Sequence, residues 1–336
     1  MTNHFDIIGD IHGHAGKLLK LLLKLDYRNL KGCFRHKERK AIFLGDLIDR
    51  GKENFKTLEI VKAMVDKGQA LIIMGNHEYN ALCYHSKDNK GNYLRKHNEK
   101  NFNQHKEVLA EIAARGEMGK KEWQDYLEWF AGMPLFLDIP GIRVVHACWD
   151  QDAVDFIKGT TPPPVCVRTR TGRPYKNGSL AKDFLIKSSR KGTDTFEAVD
   201  ILLKGKEIDL PGDFPGILDK DGHLRKRVRV KWWLPREQWE NVETYDQVSR
   251  INKESLKVLS GIKVPAGILE KIRTGINKEK EDNTPIFFGH YWFNGEPRPL
   301  TKNAVCLDYS VGRGGKLACY RWDGEAFLHK SKFIWT

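Results

Sequence analysis

GDIHG at residues 9–13, GDLIDRG at 45–51 and GNHE at 75–78 each follow an apolar run that reads as a buried strand: Phe5 to Ile8, Ala41 to Leu44 and Leu71 to Met74. Strand ends are where open α/β sheets build their sites. The residues delivered there suit metal ions. Carboxylate oxygens favour Mn2+ and Mg2+, whereas Zn2+ and Fe also accept imidazole, so a mixed Asp, His and Asn set suits a borderline site. The three blocks contain no cysteine, which argues against a structural zinc knot. Two ions about 3.5–4 Å apart need a carboxylate between them, and together they activate water and clamp a phosphoryl group for in-line displacement. The glycines let the chain turn sharply after each strand.

Two later blocks extend the pattern. Ile142 to Val145 is a β-branched run ending at His146, and Pro285 to Phe288 is another, ending at Gly289-His290. Either histidine alone reads equally well as a packed or capping residue. Five strand ends that each carry a ligand-type residue, Asp10, Asp46, Asn76, His146 and His290, are hard to reach by chance.

In this order the blocks GDIHG, GDLIDRG, GNHE, VHA and GH resemble the calcineurin-like metallophosphoesterases, in wording closest to the branch of phosphoprotein phosphatases and bacterial diadenosine tetraphosphatases. The tail, GHYW at 289–292 and CLDYSVGRGGKLACYRW at 306–322, is similar to the tetraphosphatase and bacterial phosphatase members. The resemblance covers residues 5–80, 135–150 and 284–324. It implies an α/β fold, a layered sandwich of two mixed β-sheets flanked by helices, and the tract that it leaves unexplained reads as a basic α+β insertion. Residues 1–157 would form the first part of the core, including a helical segment at about 84–132. Residues 158–260 would be the insertion or cap, and 261–336 the C-terminal part of the core.

The resemblance also implies roles. Asp10 and His12 would hold a first metal, Asp46 would bridge, and Asn76, His146 and His290 would hold a second. The ions would be two divalent cations, Mn2+ first, with Fe, Zn2+, Mg2+ or Co2+ also compatible. His77 would protonate the leaving oxygen, Asp49 would orient it, and Arg50 would grip phosphoryl oxygens, with Asn76 also touching substrate. A carboxylate beside an imidazole favours its charged form, and the planar guanidinium matches phosphate. Attack by a metal-bridging hydroxide, without a phosphoenzyme, is the implied chemistry. The substrate would be a phosphomonoester on a serine/threonine phosphoprotein. Alternatives are a dinucleoside polyphosphate or an RNA 5′ end, and an inactive phosphate- or nucleic-acid-binding module.

Each residue has a structural rival. Asp49 and Arg50 could cap the helix that begins near Glu53, and Glu78 suits the first turn of the helix after GNHE. Asp308 follows another apolar run and reads as support. Cys148, close to His146, is a weaker nucleophile candidate than the metal site itself. The sequence also departs from the family: Ala147 and Cys148 stand where phosphoprotein phosphatases have a glycine pair. The second phosphate-binding arginine has no aligned position; Arg225, Arg227, Arg229 and Arg236 are candidates, with Arg229 and Arg236 taken into the substrate-binding set.

Lys158 to Arg236 holds 18 Lys and Arg against nine Asp and Glu, which is +9 of the chain's formal +13. Ser179 to Arg190 and Thr195 to Leu203 read as helices. Asp219 to Gly222 reads as a hairpin turn leading into Arg225 to Trp233, where Val228 and Val230 alternate with Arg227, Arg229 and Lys231. A basic strand face either steers an anionic substrate, nucleic acid included, or is a solvated surface. Trp232 and Trp233 either stack on a base or belong to the core. Further helices are expected at His14 to Leu25, Asn54 to Lys67, Lys100 to Arg115, Lys120 to Gly132, Glu243 to Ser260 and Ala266 to Ile276, with a boundary at Pro162-Pro163-Pro164 and a final hairpin turn at Asp323-Gly324. At 336 residues the chain can bury a full core. Six scattered cysteines fit reduced thiols, and neither a leader-like start nor a membrane-length apolar run is present, so a cytoplasmic protein without membrane contact is expected. The oligomeric state is left open.

Overall fold

Three strands, Phe5–Ile8, Lys40–Phe43 and Ala70–Ile72, pair in parallel, so their C-terminal ends open on one edge. The computed structural model describes residues 4–160, 182–218, 224–279 and 283–336. On its other side Phe5–Ile8 pairs antiparallel with Lys316–Trp322, whose far edge takes Asp308–Tyr309 and Phe333–Trp335, giving a mixed six-stranded sheet. A second mixed sheet runs Ala304–Cys306, Ile286–Phe288, Ile142–Val145 and Phe136–Ile139; its first three strands are parallel.

The two sheets pack on each other through Ile7, Ile42, Ile73, Val144, Phe287 and Val305. Their neighbours Ile8, Phe43, Ile72, Val145, Phe288 and Cys306 point the other way, into a core shared with the helices. Both faces of each strand are therefore dry, which is why these runs are continuously apolar rather than alternating. The helices Ala15–Lys24 and Asn54–Asp66 close the outer face of the first sheet. Ala15–Lys24 buries Ala15, Leu18, Leu21 and Leu22, each leucine contributing about 1.5–3 kcal/mol. Asn76–His85, Glu99–Ala114 and Gly116–Ala131 form the expected helical layer.

The segment expected to be basic has two parts. Lys182–Ser189 and Asp194–Lys204 bury Leu185, Leu202 and Leu203 in the main core. From Ile208 to Ile272 a separate apolar cluster forms around Val228, Val230, Trp239 and Tyr245. Arg225 to Trp233 is not one strand. Leu224–Arg225 pairs with Ile217–Leu218, and Arg227–Arg229 pairs with Glu207–Asp209. Trp232 and Trp233 are buried, so they are core and have no face to offer a base. The helix expected over Glu243 to Ser260 is two, Tyr245–Val248 and Lys253–Val258. Between them Ser249 is extended and bridged to Val230, and Asn252 starts the second helix by accepting the Ser255 N–H. The triple proline, the turn at Asp219 to Gly222 and Cys166 lie outside the described residues.

At the sheet edge away from the open strand ends, Asp6 is fully buried and accepts from Arg39 Nε at 2.8 Å and Arg321 Nε at 3.1 Å. Arg39 also donates to the carbonyls of Phe5 and Trp322, both at 2.9 Å, and pairs with Asp323. Removing one partner of a buried ion pair strands the other charge. Arg39→Ala is expected to lower the unfolding free energy by roughly 3 kcal/mol, read from the urea midpoint at unchanged slope. An unshifted midpoint would mean that Arg321 alone satisfies Asp6.

Candidate metal centre

The Asp46 carboxylate sits between two groups of ligand atoms. Its Oδ2 faces His12 Nε2 at 3.7 Å and His77 Nε2 at 3.9 Å, and its Oδ1 faces His146 Nε2 at 3.4 Å. His12, Asp46 and His77 form one set with ligand atoms within 4.8 Å of one another; Asp46, His146 and His290 form another. The Asn76 amide oxygen lies 3.1 Å from His146 Nε2 and 2.7 Å from His290 Nδ1. Asp10 is placed by the His290 backbone N–H, which donates to its Oδ2 at 3.0 Å. All six residues expected to bind metal thus converge from the strand ends of both sheets. The compact set on the His12 side, however, holds His77 rather than Asp10.

Second partners aim the imidazoles. His12 Nδ1 meets the Ile48 carbonyl at 3.0 Å and His146 Nδ1 the Leu44 carbonyl at 2.7 Å, which turns both Nε2 atoms inward. His12 Nε2, His290 Nε2 and Asp10 Oδ1 are buried and have no hydrogen-bond partner. Burial, then His77, pushes the His12 pKa down to about 3, leaving a neutral ring with a lone pair to give. Burial, then Asp308, holds the Asp10 carboxyl well above its usual range. Burial opposes charge on His146, yet Asp46 raises it to about 10. Buried ligand-type atoms left without hydrogen-bond partners, His12 Nε2, His290 Nε2 and Asp10 Oδ1, fit cations in this cage.

The backbone is strained where these groups sit. His12, Asp46, Asp49, Arg50 and His290 have φ of +48°, +50°, +71°, +70° and +70°, each costing about 1–3 kcal/mol unless its surroundings fix it. Glu78 supplies much of the fixing: its carboxylate accepts the N–H groups of Asp46 and Leu47 at 2.8 Å and of Gly75 at 3.0 Å. Gly289 is required by packing, since a Cβ there would be driven into Asp10 Oδ1. Asp308 accepts the N–H groups of Trp292 at 2.7 Å and Ser310 at 2.9 Å.

His77 Nδ1 meets Asp49 Oδ2 at 2.5 Å. Burial works against charge on His77, but Asp46 and Asp49 outweigh it and raise its pKa. Neither Asp49 nor Arg50 caps the helix Asn54–Asp66. Its first N–H groups go to Glu111, at 2.6 Å from Asn54 and 3.0 Å from Phe55, while Asn54 Oδ1 accepts the Asp49 N–H at 2.8 Å. The Arg50 guanidinium lies 4.5 Å over the Trp292 ring, which also packs on His12 at 5.7 Å. Arg229 stands close enough that, after burial, it is the largest influence lowering the His290 pKa. Arg236 is elsewhere, paired with Glu240 on an exposed helix at 3.1 Å.

Sequence reasoning missed the bracing by Glu78, Glu111 and Trp292, and also His105, whose Nδ1 meets Asp49 Oδ1 at 2.7 Å. His105 shares the buried stripe of its helix with Val108 and Ile112. A polar residue on an apolar stripe was the available signal. Cys148 is buried, and none of the five described cysteines forms a disulfide.

Residues 4–291 match the family model described as calcineurin-like phosphoesterase. An asymmetrical bis(5'-nucleosyl)-tetraphosphatase of Oceanobacillus iheyensis is 32% identical over 148 residues, 42% of this chain and 54% of its own length. One from Geobacillus thermodenitrificans is 48% identical over 75 residues, 22% of this chain and 31% of its own length. The chain therefore spans about half the length of the longer-matching relative. A solved structure of a cold-active protein-tyrosine phosphatase from a psychrophilic Shewanella is 15% identical, with a TM-score of 0.44, over 96% of this chain and 78% of its own.

Because Asp46 belongs to both ligand sets, Asp46→Asn is expected to lower the content of bound divalent metal relative to the unsubstituted chain, measured by elemental analysis after dialysis. Full occupancy in that variant would remove the bridging role.

Proposed function

The chain belongs to the calcineurin-like phosphoesterase family, and from that premise we propose that it is a metal-dependent phosphoesterase acting on phosphomonoesters, phosphoproteins first. The observation that carries this reading is Asp46, one carboxylate common to two sets of buried ligand atoms. A dinucleoside polyphosphate substrate is the second reading, favoured by the names of the relatives. We assign Asp10, His12 and Asp46 to one ion, and Asp46, Asn76, His146 and His290 to the other. Mn2+ is the proposed ion, on the mixed carboxylate, imidazole and amide donors. When bound, such a pair supplies Lewis acidity and an activated water.

The remaining chemistry belongs to the chain. With Nδ1 held by Asp49, His77 presents Nε2 to the leaving oxygen and gives it a proton, so the leaving group departs neutral. Arg50, backed by Trp292, binds the phosphoryl oxygens. Arg229 is the better second phosphate ligand, because it neighbours His290, whereas Arg236 pairs with Glu240 on an exposed helix. Nucleic acid is a weaker partner. On the expected basic strand, Arg227 lies 3.2 Å from Asp209 and Arg229 lies 3.8 Å from Glu207, so acids across the ladder offset the charge. Within the same proposal the insertion ends past residue 260, since its apolar cluster reaches Ile272. No helix among the described residues is long and apolar enough to cross a membrane; a cytoplasmic location is proposed on the reduced thiols.

A metal-reconstituted screen of a phosphopeptide, diadenosine tetraphosphate and 5′-triphosphorylated RNA tests the reading, and inactivity on all three would leave a binding module. His77→Gln is expected to keep its metal and lose about 10²–10⁴-fold in kcat on poor leaving groups, with less effect on activated aryl phosphates. Arg229→Ala is expected to lower kcat/KM by roughly tenfold to a hundredfold, the worth of a charge-assisted hydrogen bond, while Arg236→Ala changes nothing. The reverse ranking would exchange their roles.

A further inference from the structure

We propose that His105 is a positioning residue for the proton transfer assigned to His77, acting through Asp49. This rests on the phosphoesterase reading with His77 as the acid. Asp49 has a buried partner on each oxygen: Oδ2 meets His77 Nδ1 at 2.5 Å, and Oδ1 meets His105 Nδ1 at 2.7 Å. The three residues are 3%, 7% and 4% exposed in the order Asp49, His77, His105. The last torsion of an aspartate is broad. A single donor would therefore leave the carboxylate plane, and with it the His77 ring, free to swing. A second donor on the other oxygen removes that freedom.

His105 is independent of the segments it steadies. It comes from the helix Glu99–Ala114, whereas Asp49 and His77 follow strands of the first sheet. The donors and acceptors also run in a consistent order. An ionised Asp49 only accepts, so both imidazoles donate from Nδ1. His105 Nε2 lies 3.3 Å from His85 Nε2, so the ring is held at its far side too, and burial, then His105, pushes the His85 pKa down to about 4. Aromatic rings fix both planes. Trp123 lies 5.6 Å from His105 and 5.7 Å from His85, and Tyr84 lies 5.4 Å from His105. On the stripe shared with Val108 and Ile112, a histidine costs desolvation that only its hydrogen bonds offset.

The experiment is the dependence of kcat on leaving-group pKa across a series of aryl phosphates, with the full chain loaded with Mn2+. His77→Gln is expected to steepen the dependence. His105→Leu is expected to steepen it in the same sense, lowering kcat on the poorest leaving group by about tenfold to a hundredfold, the usual range for outer partners, with KM and metal content within about twofold of wild type. His105→Asn, whose amide N–H stands near the Nδ1 position, is expected to recover most of the loss. His105→Gln, whose amide reaches the Nε2 position, is expected to behave like the leucine variant. A wild-type slope for His77→Gln overturns the acid assignment itself. A steeper slope for His77→Gln with a wild-type slope for His105→Leu overturns only the role of His105. Should the leucine variant not fold, equal kinetics for the asparagine and glutamine variants overturn it as well.

Discussion

A carboxylate taken out of water must be surrounded by cations or donors, and Asp46 is where this chain concentrates that demand. It is 2% exposed, with three imidazoles around it and two more buried carboxylates, Asp10 and Asp308, among the charged groups of the same interior. Burial and neighbouring carboxylates raise the pKa of Asp10 and Asp308, and the imidazoles outweigh burial only at Asp46 itself. Much of the surrounding structure holds these groups together: carbonyls of Ile48 and Leu44 turn the histidines inward, and Glu78 ties the Asp46 loop to the loop before Asn76.

Half of the described non-glycine residues with positive φ fall in the same place. Five site residues have positive φ, a conformation that survives only where neighbours leave no alternative. The sandwich supplies that constraint because its strands are dry on both faces and cannot slip without turning apolar groups into polar surroundings. Trp232 and Trp233 contribute too. Trp232 donates to the Ala147 carbonyl at 3.0 Å, next to His146, and Trp233 packs on Phe288 and Tyr291, on either side of Gly289-His290. The aromatic pair therefore braces both histidine loops of the second sheet.

The helical layer serves the first sheet in a comparable way. Glu111 takes the N-terminal N–H groups of Asn54–Asp66, and Asn54 in turn holds the Asp49 backbone. His105, one turn earlier on the same helix as Val108, reaches the Asp49 side chain. One helix thus supports both backbone and side chain of the turn that carries Asp49 and Arg50.

What the sequence by itself determined is local: apolar runs of strand length, glycines that allow sharp turns, and ligand-type residues just beyond each run. Those signals span a few residues, so the strands, most helices and the six converging ligand candidates could be read in order along the chain. Only the tertiary structure decided which groups meet across long separations. Nothing near Glu78 or Glu111 shows which N–H groups they will accept, and nothing near Arg229 or Arg236 shows that one lies near His290 and the other pairs with Glu240. The same holds for the break at Ser249, where pairing with Val230 outweighs a helical pattern. Hydrogen bonds and charge act over a few ångströms of space, and that distance is set by how layers pack rather than by spacing along the polymer.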